Sequence, residues 1–108
     1  MSEPVALCAV SDMAENAMKR VETGGKTLAV YNIDGAFYAT DDECTHGAAS
    51  LSEGILDGDI IECTLHFGAF DVKTGKVVSP PCSIPLRTYK VEVKDGQIYV
   101  DLEKTAAD

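Results

Sequence analysis

Four short glycine turns, Asp34-Gly35, Asp57-Gly58, Lys73-Thr74-Gly75 and Asp95-Gly96, cut the 108-residue chain at fairly even intervals. Asp-Gly between β-branched and aromatic runs is favoured where a tight hairpin needs positive φ. Short strands punctuated in this way point to an all-β sandwich or barrel. In KTLAVYNIDGAFYAT, Leu28, Val30, Phe37 and Ala39 are predicted to face the core while their neighbours face solvent. In LRTYKVEVKDGQIYVDL, Tyr89, Val91 and Val93 share a face with Ile98, Val100 and Leu102, leaving Lys90, Glu92 and Lys94 to water. SDMAENAMKRVE has helical propensity, with Asp12 and Glu15 at cap spacing, but is read as a turn feeding a strand over 18–23. Pro80, Pro81 and Pro85 have no amide hydrogen to donate, so SPPCSIP over 79–85 is a stiff loop rather than a central strand. The polar tail EKTAAD is expected to fray.

The length allows one domain, 1–108, and one modest core. Hydrophobic residues make up 45% and the mean hydropathy is near zero, as in soluble globular proteins. No apolar run approaches the roughly 20 residues of a membrane span, and MSEPVALCAV lacks the basic start and long apolar stretch of a secretion signal. A cytoplasmic location with no membrane partner is the expectation. Four cysteines without an export signal argue against a disulfide framework and leave metal ligation or core packing. Eighteen acidic against nine basic residues give a formal charge of −9, which repels phosphate backbones and anionic lipid. Nucleic acid is therefore not an expected partner, whereas a protein with a basic patch is; the same charge also serves solubility alone.

Both histidines stand beside a cysteine. Cys44-x-His46 and Cys63-x-x-His66 are separated by residues 47–62, which contain a hairpin signal. Two such clamps can bring four soft or borderline donors to one point. Gly47 and Gly68 follow them, and glycine permits the close backbone approach that aims amide N–H groups at metal-bound sulfur. The donor set alone also admits a single Cys2His2 zinc, although zinc sites more often open with Cys-x2-Cys or His-x3-His.

Cys44-Thr45-His46-Gly47 and Cys63-Thr64-Leu65-His66 resemble the two boxes of Rieske [2Fe-2S] proteins. The resemblance extends over YNIDGAFYATDDECTHG, FDVKTGKVV, the proline loop and LRTYKVEV, and it is closest to the small Rieske ferredoxins of bacterial aromatic-ring-hydroxylating dioxygenase systems. It implies a Rieske-like antiparallel β-sandwich with a small cluster-binding subdomain, formed by two loops, at about 43–85. It further implies one [2Fe-2S] cluster, with Cys44 and Cys63 on the inner iron and His46 and His66 on the outer one. Thr64 stands where the family commonly has proline, which loosens the second loop slightly while leaving every ligand in place.

The function implied by this resemblance is that of a soluble, monomeric one-electron carrier. It would take electrons from a flavin-dependent NADH or NADPH ferredoxin reductase and pass them to a terminal oxygenase, with the histidine-bearing end as the exit. The chain is not expected to be an enzyme itself. Rieske oxygenases add a mononuclear iron held by two histidines and a carboxylate, and no third histidine is present for one. Cluster-free Rieske relatives, by the same resemblance, lack ligands that are all present here. Cys8 in VALCAV, and Cys82 in the proline loop that the resemblance packs over the cluster, read as packing residues.

The respiratory branch of the family carries a disulfide between cysteines that correspond in position to Ala49 and Leu65, so no such brace can form here. That branch also places a serine and a tyrosine two and four residues after the second histidine, where this chain has Gly68 and Phe70. Hydrogen bonds to sulfur stabilise the reduced, more negative cluster, and their absence lowers its potential. The acidic chain opposes the added electron as well, weakly after screening. A reduction potential near the bottom of the Rieske range, about −150 mV, is expected. An electrochemical titration placing it well above zero would overturn this reading.

Overall fold

The structure is a computed structural model describing residues 4–45, 49–63, 68–80 and 84–106. Its hairpins follow from local turn chemistry. Asp34 and Gly35 have φ of 53° and 87°, and Ile33 pairs with Ala36 across them, the geometry of a type I′ turn whose twist matches the strands. Asp95-Gly96 closes the last hairpin in the same way, and Gly24-Gly25 adds a turn beyond the four read in the sequence. At the second signal Asp57 pairs with Ile60, so the turn is Gly58-Asp59 rather than Asp57-Gly58. The one-residue shift puts the positive φ on the glycine.

Among the described residues the chain forms ten strands: β1 (Val5–Ala9), β2 (Ala17–Thr23), β3 (Lys26–Ile33), β4 (Ala36–Asp41), β5 (Ile55–Asp57), β6 (Ile60–Glu62), β7 (Ala69–Asp71), β8 (Val77–Ser79), β9 (Thr88–Lys94) and β10 (Gln97–Asp101). All pair antiparallel, in a six-stranded sheet ordered β1-β10-β9-β4-β3-β2 and a four-stranded sheet ordered β5-β6-β7-β8. The expected all-β antiparallel class is observed. SDMAENAMKRVE makes a short 3-10 turn at Val10–Asp12, reverses at Asn16 (φ 59°) and enters β2 one residue before the predicted start. Among the described residues no helix is long and apolar enough to cross a membrane.

The large sheet rolls on itself. Leu7 and Cys8 from one edge strand and Val21 from the other pack on the same buried group, Met13, Val30 and Ile98. Leu28, Ala39, Tyr89 and Val100 extend this interior. The alternation predicted for β3 is not observed: every residue from Leu28 to Ile33 is buried. Leu28 and Val30 belong to the interior of the rolled sheet, while Ala29, Tyr31 and Ile33 pack with Leu51, Ile61, Phe70, Val72 and Leu86. A strand covered on both faces carries no polar face, so its true environment is an unbroken apolar run. Asn32, the polar exception, is satisfied: its amide nitrogen donates to Met13 O at 3.2 Å and its oxygen accepts from Gly35 N at 3.0 Å.

The last hairpin keeps the predicted shared face, with Val100 opposite Val91 and Ile98 opposite Val93, although Val93 beside the turn is 51% exposed. The tail does not fray through residue 106. Lys104 O accepts from Lys90 N at 3.1 Å and Ala106 N donates to the Thr88 hydroxyl at 3.2 Å. β9 pairs with β4 only at Thr88 and Tyr89, which leaves the Lys90 amide for the tail to satisfy.

Ser79, the first residue of the expected proline-rich loop, instead ends β8 opposite Ala69; residues 80, 84 and 85 are no strand, as expected, and Pro81 and Cys82 lie outside the described residues. The segment ends at Leu86, buried at 3% exposure, whose amide donates to Gly75 O at 2.8 Å. Gly75 has φ of 78°, and a Cβ there would lie 2.0 Å from Leu86 O. Gly35 has a similar φ but open space around it. Gly75→Ala is therefore expected to cost about 3 kcal/mol of unfolding free energy against about 1 kcal/mol for Gly35→Ala. Urea denaturation of the two variants measures the difference, and equal losses would refute the close approach as its cause.

Candidate metal centre

Two loops close in the same way. The first leaves the end of β4 and returns to the 3-10 turn at Leu51–Glu53; Cys44 N donates to Ala49 O at 2.9 Å. The second joins β6 to β7, and Cys63 N donates to Gly68 O at 2.8 Å. In each, a cysteine amide bonds the carbonyl five residues on, and four residues lie between. By sequence position His46 falls inside the first closure and His66 inside the second; both lie outside the described residues, as do Gly47, Thr64 and Leu65.

The structure places the two candidate ligand cysteines of the sequence reading in one buried cluster. Cys44 and Cys63 are free thiols at 2% and 1% exposure, in one apolar cluster with Leu51, Ile61 and Phe70. Phe70 is fully buried in that cluster and brings no hydroxyl, while Gly68 contributes its carbonyl to the loop closure. Cys8 is elsewhere: it packs in β1 against the Met13, Val30 and Ile98 group, half-buried rather than fully buried. Burial raises its thiol above the ordinary pKa, with Lys19 pulling down and Asp12 adding a smaller rise.

Two polar supports were not read from the sequence. The Thr45 hydroxyl donates to Ile84 O at 2.7 Å, tying the first loop to the segment that leaves the prolines. Asp42, at 2% exposure, accepts from Ser52 N at 2.9 Å and from the Ser50 hydroxyl, and faces Arg20 Nε at 3.7 Å. Its neighbour Asp41 points the other way and accepts from the Tyr89 hydroxyl. Nothing local in Asp41-Asp42-Glu43 marks these contacts, since the partners at 20, 50, 52 and 89 come only from the fold.

The donor chemistry of the loops fits a mixed sulfur and nitrogen metal centre. Two cysteines buried among apolar side chains suit thiolate ligation of a cationic metal, which would compensate charge that the apolar surroundings do not solvate. Two ferric ions, two sulfides and two thiolates sum to zero charge, a group that an apolar wall tolerates. Small antiparallel β architecture with two buried cysteines from loops closed alike in one core cluster fits the class of iron–sulfur proteins.

The comparisons make this specific. The family described as the Rieske [2Fe-2S] domain matches residues 3–90. The chain is 56% identical over 99 residues to ferredoxin CarAc of Metapseudomonas resinovorans, covering 91% of this chain and 92% of that one. It is 50% identical over 104 residues to the ferredoxin component of the p-cumate 2,3-dioxygenase system of Pseudomonas putida, covering 94% and 88%. Its fold superposes with a TM-score of 0.90, at 53% identity and with 94% and 95% coverage, on a chain from the complex of reduced oxygenase and oxidized ferredoxin in carbazole 1,9a-dioxygenase. The chain belongs to the Rieske [2Fe-2S] family, and that match together with its ferredoxin relatives implies one Rieske-type [2Fe-2S] cluster.

Tyr31 packs in the same cluster as the two cysteines, fully buried, with its hydroxyl 2.8 Å from that of Thr40. Burial drives its pKa well above the ordinary tyrosine value; the Thr40 hydrogen bond opposes this and Asp42 adds to it. Tyr89 is raised likewise, by burial and by Asp41, against Arg87. A raised folded pKa stabilises fully below the unfolded value near 10 and is lost as pH climbs above it. Tyr31→Phe should be less stable by about 1 kcal/mol at pH 8 for the lost hydrogen bond, and above about pH 10 it should lose stability less steeply, by up to about 1.4 kcal/mol per pH unit. Parallel urea midpoints for the two proteins from pH 8 to 11 would remove Tyr31 as the cause.

Proposed function

We propose that Cys44, His46, Cys63 and His66 hold the [2Fe-2S] cluster, the cysteines on the inner iron and the histidines on the outer one. Residues 1–108 act as one carrier domain, with 43–85 as its cluster-binding region. The protein is a soluble cytoplasmic electron carrier without catalysis of its own. It receives electrons from a flavin-dependent NAD(P)H ferredoxin reductase and delivers them to the terminal oxygenase of a multicomponent aromatic-ring-hydroxylating dioxygenase. The observation that carries this is the convergence of Cys44 and Cys63, from two loops closed alike, in one buried apolar cluster. The carrier role is supported by the naming of its relatives as dioxygenase ferredoxin components.

A cluster bound there supplies reversible one-electron transfer. The protein's own residues do the rest. Leu51, Ile61 and Phe70 keep water from the inner thiolates, and the amide-to-carbonyl closures fix the ends of the two loops whose sequences contain His46 and His66. The exposed Glu43 beside Cys44, and Ile84 at 60% exposure beside Thr45, give the loop end an acidic and apolar contact surface. A carrier serving two partners needs a small interface, with charge steering encounter more than tightening it.

Wild-type protein should contain two irons and two sulfides per chain and show, when reduced, the low average g of mixed nitrogen and sulfur ligation. Cys44→Ala and Cys63→Ala should lose the cluster, whereas Cys8→Ala should keep it. With an NADH-dependent flavoprotein reductase and a carbazole-type oxygenase, electron delivery should slow several-fold as salt rises from low to molar. A colourless zinc protein, or a Cys63→Ala variant that retains its iron, would refute the assignment.

A further inference from the structure

The two loops close alike but stand on different foundations. The second is the tip of a regular hairpin, where Ile60, Ile61 and Glu62 pair with Asp71, Phe70 and Ala69 directly below it. The first has no such ladder beneath it; its flanks meet in a single isolated bridge, Glu43 opposite Ser50. A lone bridge leaves the flanking backbone groups to find other partners, and one residue supplies them.

That residue is Asp42. Its amide donates to Thr27 O at 3.0 Å, fixing it to β3, and its carbonyl accepts from Leu51 N at 2.7 Å. One carboxylate oxygen accepts from Ser52 N at 2.9 Å, and the other accepts from the Ser50 hydroxyl. Arg20 Nε faces that second oxygen at 3.7 Å from β2. The outgoing flank of the loop is thus joined to the returning flank at three successive residues. Asp42 stands two residues before Cys44, is 2% exposed, and has every contact directed into the loop base or the neighbouring strands. A carboxylate so buried is costly unless its oxygens are filled, and filling them here orders the loop.

We propose that Asp42 is the positioning residue of the first ligand loop, clasping its two ends so that Cys44 keeps the direction in which it holds the inner iron. This rests on the assignment of Cys44 as a ligand. The clasp does for the first loop what the β6–β7 ladder does for the second. Its loss loosens one side of the cluster while the core, built from other residues, stays folded.

The test compares holo-protein of the wild type with Asp42→Ala, Asp42→Asn, Ser50→Ala and Tyr89→Phe. The readouts are the rate of visible-absorbance loss in a ferrous chelator, the EPR spectrum of the reduced protein, and urea unfolding followed by far-ultraviolet circular dichroism. Asp42→Ala should lose its cluster roughly tenfold faster than wild type and broaden the EPR spectrum. Asp42→Asn, which keeps an acceptor for Ser52 N and can still meet Ser50, should return to within about threefold. Ser50→Ala, which removes one arm of the clasp, should be about threefold faster than wild type.

Tyr89→Phe breaks the contact of Asp41 on the opposite face. It should lower urea stability yet leave the release rate within about twofold and the spectrum unchanged. Release from Asp42→Ala at the wild-type rate, or an equal acceleration in Tyr89→Phe, would overturn the proposal. Should Asp42→Ala not fold, Ser50→Ala decides: a wild-type rate and spectrum overturns it. Wild-type protein without iron and sulfide, or a cluster retained in Cys44→Ala, would overturn the ligand assignment and the clasp together. A wild-type cluster indifferent to Asp42 would remove the clasp alone.

Discussion

β3 is buried on both faces, and both halves of the molecule are built against it. Leu28 and Val30 fill the rolled sheet; Ala29, Tyr31 and Ile33 share one cluster with Ile61 and Phe70 of the small sheet and with Cys44 and Cys63. Each fully buried aliphatic side chain stabilises by about 1.5–3 kcal/mol, so neither half can detach without exposing the shared strand. The strand also anchors chemistry, since its Thr27 carbonyl holds the Asp42 amide and so sets the height of the first loop. Electron transfer gains from a site that moves little between oxidation states, and a close-packed wall behind the cysteines provides one.

Asp41 and Asp42 divide the support between the two sides of the chain as it leaves β4. Asp41 accepts from Tyr89, whose ring has Lys26 Nζ at 5.4 Å and the Arg87 guanidinium at 5.0 Å from its centroid. Asp42 serves the ligand loop. Consecutive extended residues face opposite ways, so one acidic dipeptide locks the rolled sheet and the loop base at once. The proline-rich segment is tied twice at its C-terminal end, by Thr45 to Ile84 and by Gly75 to Leu86, and Leu86 sits in the same cluster as Cys44 and Cys63.

Hairpins were legible in the sequence where the turn itself dictates conformation, as at Asp34-Gly35 and Asp95-Gly96. The shift at Gly58 shows the limit of this: the dipeptide marks a turn, while the strand register picks which two residues occupy it. Burial of β3 was not legible, because alternation presupposes a wet face and whether one exists is decided by a sheet formed some 30 residues later. The ordered tail escaped for a related reason, since a polar sequence says nothing of a vacant amide at Lys90. In the candidate metal centre, spacing singled out Cys44 and Cys63, which the fold places in one buried cluster, and His46 and His66, which lie outside the described residues. Asp42 was not singled out, because its partners at 20, 50 and 52 have no local signature and a buried carboxylate reads as a surface one.

Charge links the two tasks of a carrier. Residues 43–70, which hold both ligand loops, contain Glu43, Glu53, Asp57, Asp59 and Glu62 and no lysine or arginine. Lys73 leans on Asp59 at 3.8 Å and lines, with Lys76 and Arg87, a cleft beside the β7–β8 turn, at the end of the small sheet away from the Cys63 loop. Of the acidic residues, Glu43 and Glu62 stand next to Cys44 and Cys63, while Asp57 and Asp59 lie at the far β5–β6 turn with Lys73. In water these charges are screened within about 8 Å at physiological salt, but the buried cysteines lie in a medium that screens less. On the proposed ligand assignment, carboxylates beside the loops such as Glu43 and Glu62 would both draw a basic partner and raise the cost of the added electron. Encounter rate and reduction potential cannot be tuned independently in this segment: a change of acidity there moves both, in directions set by the same sign of charge.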